Sequence, residues 1–490
     1  MNKVILISIF FFNIILVNAQ KKISSYLELQ SGYNGKQEVP FWFRSNQYGS
    51  IPSVGTYGSL IGNFERNYST YPKKIVDWGI ALEGRLNIGD EIEFIPVVGE
   101  AKVRLSIFQF KAGRSKDIMG LCDKDLSSGA WSISGNSLGV PKVELSIPEY
   151  FTIPWLGKMF AFKGQYAHEW LGQATMRRYW LPTDDTIKNK TYLHQKSFYG
   201  RFGKEEWKWK LYGGFNHQVF WGNEDTYYTS PFPLTPLETL YYVTLGKVYN
   251  SSKIGNHLGS IDVGGEFNIG RFKTNIYRQF FYDVGNLYYL TNVADGLNGL
   301  SIENTNPGNN FLQIKKFLFE FMYSKSQAGQ PDAKDTPTSW EHYYNNHQYI
   351  DGWSYMGVAL GNPFFTTKDK LEENLPYNGQ AGDGSFFVNN RIILYHVGCI
   401  GMIQKWDFIL KGSYSLNYGT YYTTDEEQST GIRNPGSWGI FGEQKQFSFY
   451  LDCSRPLGYK YKIGFLTALD YGSLLKDEVG FLMKISRTFF

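Results

Sequence analysis

Four short runs of the 490-residue sequence mix flat aromatic rings with planar polar groups. They are Trp42, Arg44 and Asn46, with Gln47 beside them; His217, Gln218 and Trp221; Tyr344, Asn345, Asn346 and His347; and Asn389, Asn390 and Arg391. The mixture suits carbohydrate, because a ring face packs on the CH face of a sugar while amides and imidazoles hydrogen-bond its hydroxyls. Arg391 could also pair with a sugar carboxylate. One such contact is weak, so recognition of this kind gains from many sites along a polymer. Each run also has a plainer reading. Asn caps turns, a Trp or Tyr near a strand end anchors a membrane interface, and the Trp42 run serves equally well as packing near a first strand.

The sequence offers less to catalysis. A Ser–His–Asp hydrolase needs a nucleophile elbow such as GxSxG; none is read along the chain, and Gly384 to Phe386 lacks its framing. His168 and His396 have no evident serine partner. Glu149, Glu169 and Asp283 do not form a recognisable glycosidase pair. His342 and His347 are five apart and are expected on opposite faces of a strand, which is not a metal-ligand spacing. Cys122, Cys399 and Cys453 are odd in number, far apart and without a CxxC; one pair could bridge, but zinc or redox chemistry is not indicated. With no Walker or dinucleotide motif in a strand–helix frame, the expectation is a non-enzyme without cofactor or metal.

The elements that must position these residues are almost all strands. In WKWKLYGGFN, Trp207, Trp209, Leu211 and Phe215 share one face, with Lys208, Lys210, Tyr212 and Asn216 on the other. Phe317, Phe319, Phe321 and Tyr323 alternate with Leu318, Glu320, Met322 and Ser324, and Trp406, Phe408, Leu410 and Tyr414 with Asp407, Ile409, Lys411 and Ser413. Phe447, Phe449 and Leu451, then Tyr459, Tyr461, Ile463 and Phe465, repeat the pattern. Alternation sends successive side chains to opposite faces of a strand. Turns of Gly, Asn, Asp and Pro separate the runs, as in GNHLGS and ADGLNG. Residues from Gly55 to Tyr68 are expected to form a short N-terminal helical or plug element.

Composition narrows the class further. Aromatic residues make up 18% of the chain, with 37 Phe, 36 Tyr and 13 Trp, and this apolar content excludes disorder. The 49 basic and 45 acidic residues nearly balance, so nucleic acid is not an expected partner. MNKVILISIFFFNIILVNAQ reads as a signal peptide over residues 1–19, cut after Ala19, its apolar run being too short to span a membrane. The remainder, 20–490, contains no long uncharged apolar run. Greasy rows of Phe, Trp and Tyr, backed by Lys, Asp, Glu and Asn, suit an antiparallel barrel with lipid outside and a wet interior better than a dry sandwich. At roughly 25 residues per strand and connection, about 18 strands are expected, enclosing a cavity rather than a packed core. In the last run Phe481, Met483 and Ile485 form the apolar row, one residue out of phase with Phe490.

Several blocks, in order along the chain, carry a family resemblance: PFWFRSNQYGSIP, LSSGAWSISGNSLGVPKVELSIPEY, KGQYAHEWLG, LHQKSFYGRFG, GGFNHQVFWG, GNHLGSID, ADGLNG, EHYYNNHQYIDGWSYMGVALGNPF, NNRIILYHVG and YSLNYGTY. Together they resemble the capsule assembly Wzi family over nearly the whole mature chain. The resemblance implies a monomeric outer-membrane barrel of about 18 strands that is not an enzyme. It further implies a lectin that holds exported capsular or surface polysaccharide at the cell surface and helps organise it, among outer-membrane lipids. The small periplasmic helical bundle of the family's better-studied branch has no clear equivalent here. Two other readings remain open on the residues alone: a porin for sugars or small ions, and a secreted soluble β-rich enzyme acting on glycans.

Overall fold

The computed structural model describes residues 23–489 apart from 35–37, 53–54, 70–73, 178–185, 229–230, 251, 284, 309, 332, 337–339, 374, 376–384 and 424–440. The signal-peptide reading and Phe490 therefore lie outside the described residues.

Eighteen antiparallel strands follow one another around a closed wall. They are β1 (Ile23–Asn34), β2 (Gly58–Arg66), β3 (Val76–Ile88), β4 (Ile92–Leu105), β5 (Phe108–Arg114), β6 (Lys142–Thr152), β7 (Phe160–Arg177), β8 (Thr186–Phe202) and β9 (Trp209–Trp221). The second half comprises β10 (Asn256–Ile269), β11 (Phe272–Tyr282), β12 (Gly296–Asn304), β13 (Leu312–Tyr323), β14 (Ile392–Ile403), β15 (Trp406–Asn417), β16 (Gln444–Leu457), β17 (Tyr461–Gly472) and β18 (Glu478–Thr488). The wall closes where β1 pairs with β18, from Tyr26 opposite Thr488 to Asn34 opposite Gly480. Closure satisfies every edge, which a sheet in lipid requires.

The alternation read from sequence sets the two faces. Trp209, Leu211 and Phe215 on β9, Phe317 and Phe319 on β13, and Phe481, Met483 and Ile485 on β18 are exposed on the outside. Lys210, Asn216, Glu320 and Leu482 on the same strands are buried inside. This continuous outer band of apolar side chains makes the molecule a membrane-spanning barrel. Pro96 and Pro148, which cannot donate to a ladder, both lie where the register shifts. All three cysteines are free thiols, so no pair bridges.

Two sequence expectations are corrected. Gly55 to Tyr68 is not helical, since Gly58–Arg66 is the strand β2. Its outward row, Leu60 and Phe64, is interrupted by Gly62, which hides the alternation. The short helix lies earlier as α1 (Phe41–Arg44), inside the barrel, where the Phe41 amide donates to Asp470 at 2.6 Å. The interior is also not simply wet. Connections running from the strand ends fold into the lumen and pack there as a plug, chiefly residues 115–141 and 341–371 together with α1.

All the long connections, 35–57, 115–141, 222–255, 324–391 and 418–443, leave one mouth of the barrel. The connections at the opposite mouth are shorter, several of them two-residue turns such as 106–107, 270–271 and 404–405.

Candidate functional site

The inward polar row exists to hold the plug. Glu320 on β13 accepts hydrogen bonds from the Ser127 hydroxyl (2.7 Å), the Ser128 amide (2.7 Å) and the Tyr277 hydroxyl (2.6 Å). Asp262 on β10 accepts from the Leu121 amide and Gln279 from the Trp131 amide, at 2.9 and 3.2 Å. Buried polar groups need partners, and here the wall satisfies a backbone that is mostly irregular, with only two-residue strand pairs and single helical turns of its own. Between plug and wall, Trp131 stacks on Phe281 of β11 with ring centres 4.2 Å apart, and Trp353 on Phe220 of β9 at 4.3 Å. Segment joins segment: the Trp353 indole donates to the Ser132 carbonyl, the Asn362 amide side chain to Gly129, and Asn136 to Ala359. Gly361 is obligatory at this junction, because a Cβ there would come 2.0 Å from both the Trp131 carbonyl and the Tyr344 hydroxyl.

Two hollows remain. At the long-connection mouth, a hollow of about 340 Å³ is lined by Gln173 and Thr175 of β7, Phe220 of β9, and Tyr349, Asp351, Ser354 and Tyr355 of the plug. Asp351 accepts from the Thr175 amide at 3.3 Å, and the Tyr355 hydroxyl takes a long 3.4 Å bond from Arg114. The hollow pairs ring faces with groups that hydrogen-bond hydroxyls, which is what a sugar needs. These residues were not singled out from sequence, although Tyr349 to Tyr355 fall inside the YIDGWSY block; folding, not spacing, unites them with β7. Below the plug, a second hollow of about 240 Å³ is lined by Trp42, Asn46, Gln47, Asp123, Lys124 and Lys411, among others.

The residues expected from sequence to bind sugar are distributed over four places. Trp42 and Asn46 line the lower hollow, and the Arg44 guanidinium donates to the Val39 carbonyl at 3.2 Å. Tyr344, Asn345, Asn389, Asn390 and Arg391 come together within the plug. Tyr344 donates to the Trp131 carbonyl, Asn345 exchanges hydrogen bonds with both backbone groups of Phe387, and Asn390 donates to the Tyr343 carbonyl at 3.0 Å. Asn389 donates to Asn417 at 3.0 Å, and Arg391 donates to the Lys325 carbonyl and lies over the Tyr421 ring. Asn346 caps a turn through the Gln348 and Tyr349 amides, and His347 is exposed at the mouth. Gln218 is buried facing the lumen, whereas His217 and Trp221 belong to the outer face of β9, under the connection 222–255.

Three further readings are corrected. His342 and His347 lie in a connection, not a strand. His342 sits 3.0 Å from the Asn345 amide, and burial, with His347 nearby, pushes its imidazole down to about 3. His396 does have a serine partner: Ser413 lies 2.8 Å from Nδ1, and Nε2 lies 2.8 Å from the Leu126 carbonyl. The Trp42 indole donates to the same hydroxyl at 3.2 Å, so the chain Trp42–Ser413–His396–Leu126 is a buried strut between α1, wall and plug. Gly135-Asn136-Ser137-Leu138-Gly139 has hydrolase-elbow spacing but lies in the irregular plug with no following helix, so the serine is not presented as a nucleophile.

No family model matches the chain, and no curated protein matches it. Among solved structures, it is similar to Wzi of Escherichia coli, described as an outer-membrane protein involved in group 1 capsule assembly and a carbohydrate-binding β-barrel. Their TM-score is 0.57 at 12% identity, covering 95% of this chain and 84% of that one. OccAB2 of Acinetobacter baumannii gives 0.45 at 10% identity over 95% and 98% of the two chains. OprD of Pseudomonas aeruginosa gives 0.40 at 12% over 96% and 94%. The likeness to Wzi is one of fold, and it is the fold that the sequence resemblance implies: a closed 18-stranded outer-membrane β-barrel.

Proposed function

We propose that this chain is an outer-membrane lectin that binds exported capsular or surface polysaccharide and helps attach and organise it at the cell surface. The long-connection mouth faces the exterior, in keeping with the general rule that barrels turn short connections to the periplasm. The observation that carries the reading is the plug. A folded insert fills the lumen and leaves, at the outer mouth, a fixed hollow of aromatic and hydrogen-bonding groups where a porin would keep a passage. The sequence resemblance and the description of Wzi as a carbohydrate-binding barrel support it. His347, Tyr355 and Asp351 are the groups offered to the polymer; Tyr344, Asn345, Asn346, Asn389, Asn390 and Arg391 act by holding the plug that shapes the site. No catalysis, cofactor or metal is assigned, and the chain acts as a monomer.

Deleting the gene from a capsule-making host should release polymer into the medium while total polymer stays similar. Cell-attached polymer that does not change would refute the reading. Solute-conducting channels in planar bilayers would point to the porin instead.

A further inference from the structure

Within the connection 222–255, the part around residues 236–245 folds over the outside of the barrel rather than into it. It carries α3 (Pro236–Leu245), started by a capping box in which Thr235 Oγ1 accepts from the Glu238 amide and the Glu238 carboxylate accepts from the Thr235 amide. Odd-numbered residues of β9 point outward, so Val219 and Trp221 belong to the outer wall. Val243 of α3 is packed in one apolar cluster with them and Ile254. Two polar contacts fasten the helix lower down: the Lys196 ammonium donates to the Thr244 carbonyl, and the Tyr166 and Thr244 hydroxyls share a 3.2 Å bond.

The opposite stripe of the helix is bare and apolar. Leu237, Tyr241 and Leu245, spaced four apart on one face, are 79%, 50% and 53% exposed. Burying one apolar stripe on the wall while leaving another uncovered is costly in water but favourable at the boundary between headgroups and acyl chains. The height is right for that. On β9 the exposed row ends at Phe215, and α3 covers the next outward positions, at the upper rim of the lipid-facing band; Tyr166 and Trp170 carry that band up beside it. The charge fits too. Lys188, Lys190 and Lys196 face outward on β8, and among the described residues no carboxylate faces outward on β7 to β10 above Phe215. Lys247 donates to the Tyr241 hydroxyl at 2.6 Å, placing a cation at the polar end of that ring.

We infer that α3 is a membrane-embedded arm: it lies in the plane of the outer leaflet, with Leu237, Tyr241 and Leu245 among acyl chains and the lysines against anionic lipid headgroups. This rests on the barrel's crossing a membrane, and not on what the mouth binds.

The test uses full-length protein in nanodiscs of phosphatidylcholine, with or without phosphatidylglycerol. Leu237→Cys, Tyr241→Cys and Leu245→Cys are placed singly in a background with Cys122, Cys399 and Cys453 changed to Ser, and barrel folding is checked by heat-modifiable migration. The reference is Met356→Cys, at a position 73% exposed at the same mouth. A water-soluble maleimide should modify the three arm sites several-fold more slowly than the reference. Phosphatidylglycerol should slow them further, and replacing Lys188, Lys190 and Lys247 together by Gln should abolish that increment. Rates equal to the reference would place the helix in water and overturn the arm; rates indifferent to phosphatidylglycerol would overturn the headgroup contact. Wild-type protein gives a readout free of substitutions: hydroxyl-radical footprinting should spare Tyr241 relative to Tyr459, which is 98% exposed in a turn at the other mouth, and equal modification would again overturn it.

Discussion

Single residues decide whether the plug stays in place. Glu320 gathers two hydroxyls and an amide from two segments, so Glu320→Ala strands buried donors and should cost about 3 kcal/mol in denaturant unfolding, with Glu320→Gln costing less. Asp295 gives a pH signature. Burial pushes its carboxyl from the ordinary aspartate value of 3.8 up to about 6, against the pull of the Tyr343 hydroxyl and the Gln327 and Ser326 amides. Because the folded state favours the protonated form, stability should fall as pH rises from about 4 to 6, by about 3 kcal/mol in all. In Asp295→Asn that part of the slope should vanish; an unchanged slope in urea midpoints would contradict the assignment. Chemistry at this scale was the least legible in the sequence. His217, Gln218 and Trp221 look like one group on paper, yet strand alternation sends Gln218 into the lumen and the other two to the outer wall. His396 and Ser413 are 17 residues apart, and only the pairing of β14 with β15 sets them opposite one another.

At the scale of elements, strands were legible because lipid outside and polar anchors inside impose a period of two. The exception, β2, lost its signal at Gly62. The plug was not legible, because its order comes from side chains and wall groups and not from any repeating pattern; even α1 is too short to announce itself. Its role can be isolated. Replacing residues 116–140 by a short Gly/Ser linker should leave a heat-modifiable barrel that passes salt current in planar bilayers, where the parent passes little. Equal currents would show that this segment does not close the lumen. Thr235→Ala should weaken the start of α3 by about 1 kcal/mol, seen as faster amide exchange over 236–245.

The whole molecule joins a lipid-facing wall, a filled lumen and a shaped outer mouth. The number of strands was accessible from length alone, and the aromatic rows indicated which face meets lipid. The identity of the mouth was only half accessible: the YIDGWSY block was visible, but its union with Gln173 and Phe220 needed the folded connections. The most direct trial is equilibrium binding of the host's purified surface polysaccharide to the full chain in detergent, wild type beside Tyr355→Ala, Asp351→Ala and His347→Ala. The account predicts saturable retention by the wild type and weaker retention by the variants, with the barrel still heat-modifiable; wild-type protein that retains no polymer, or variants that retain it undiminished, would contradict it.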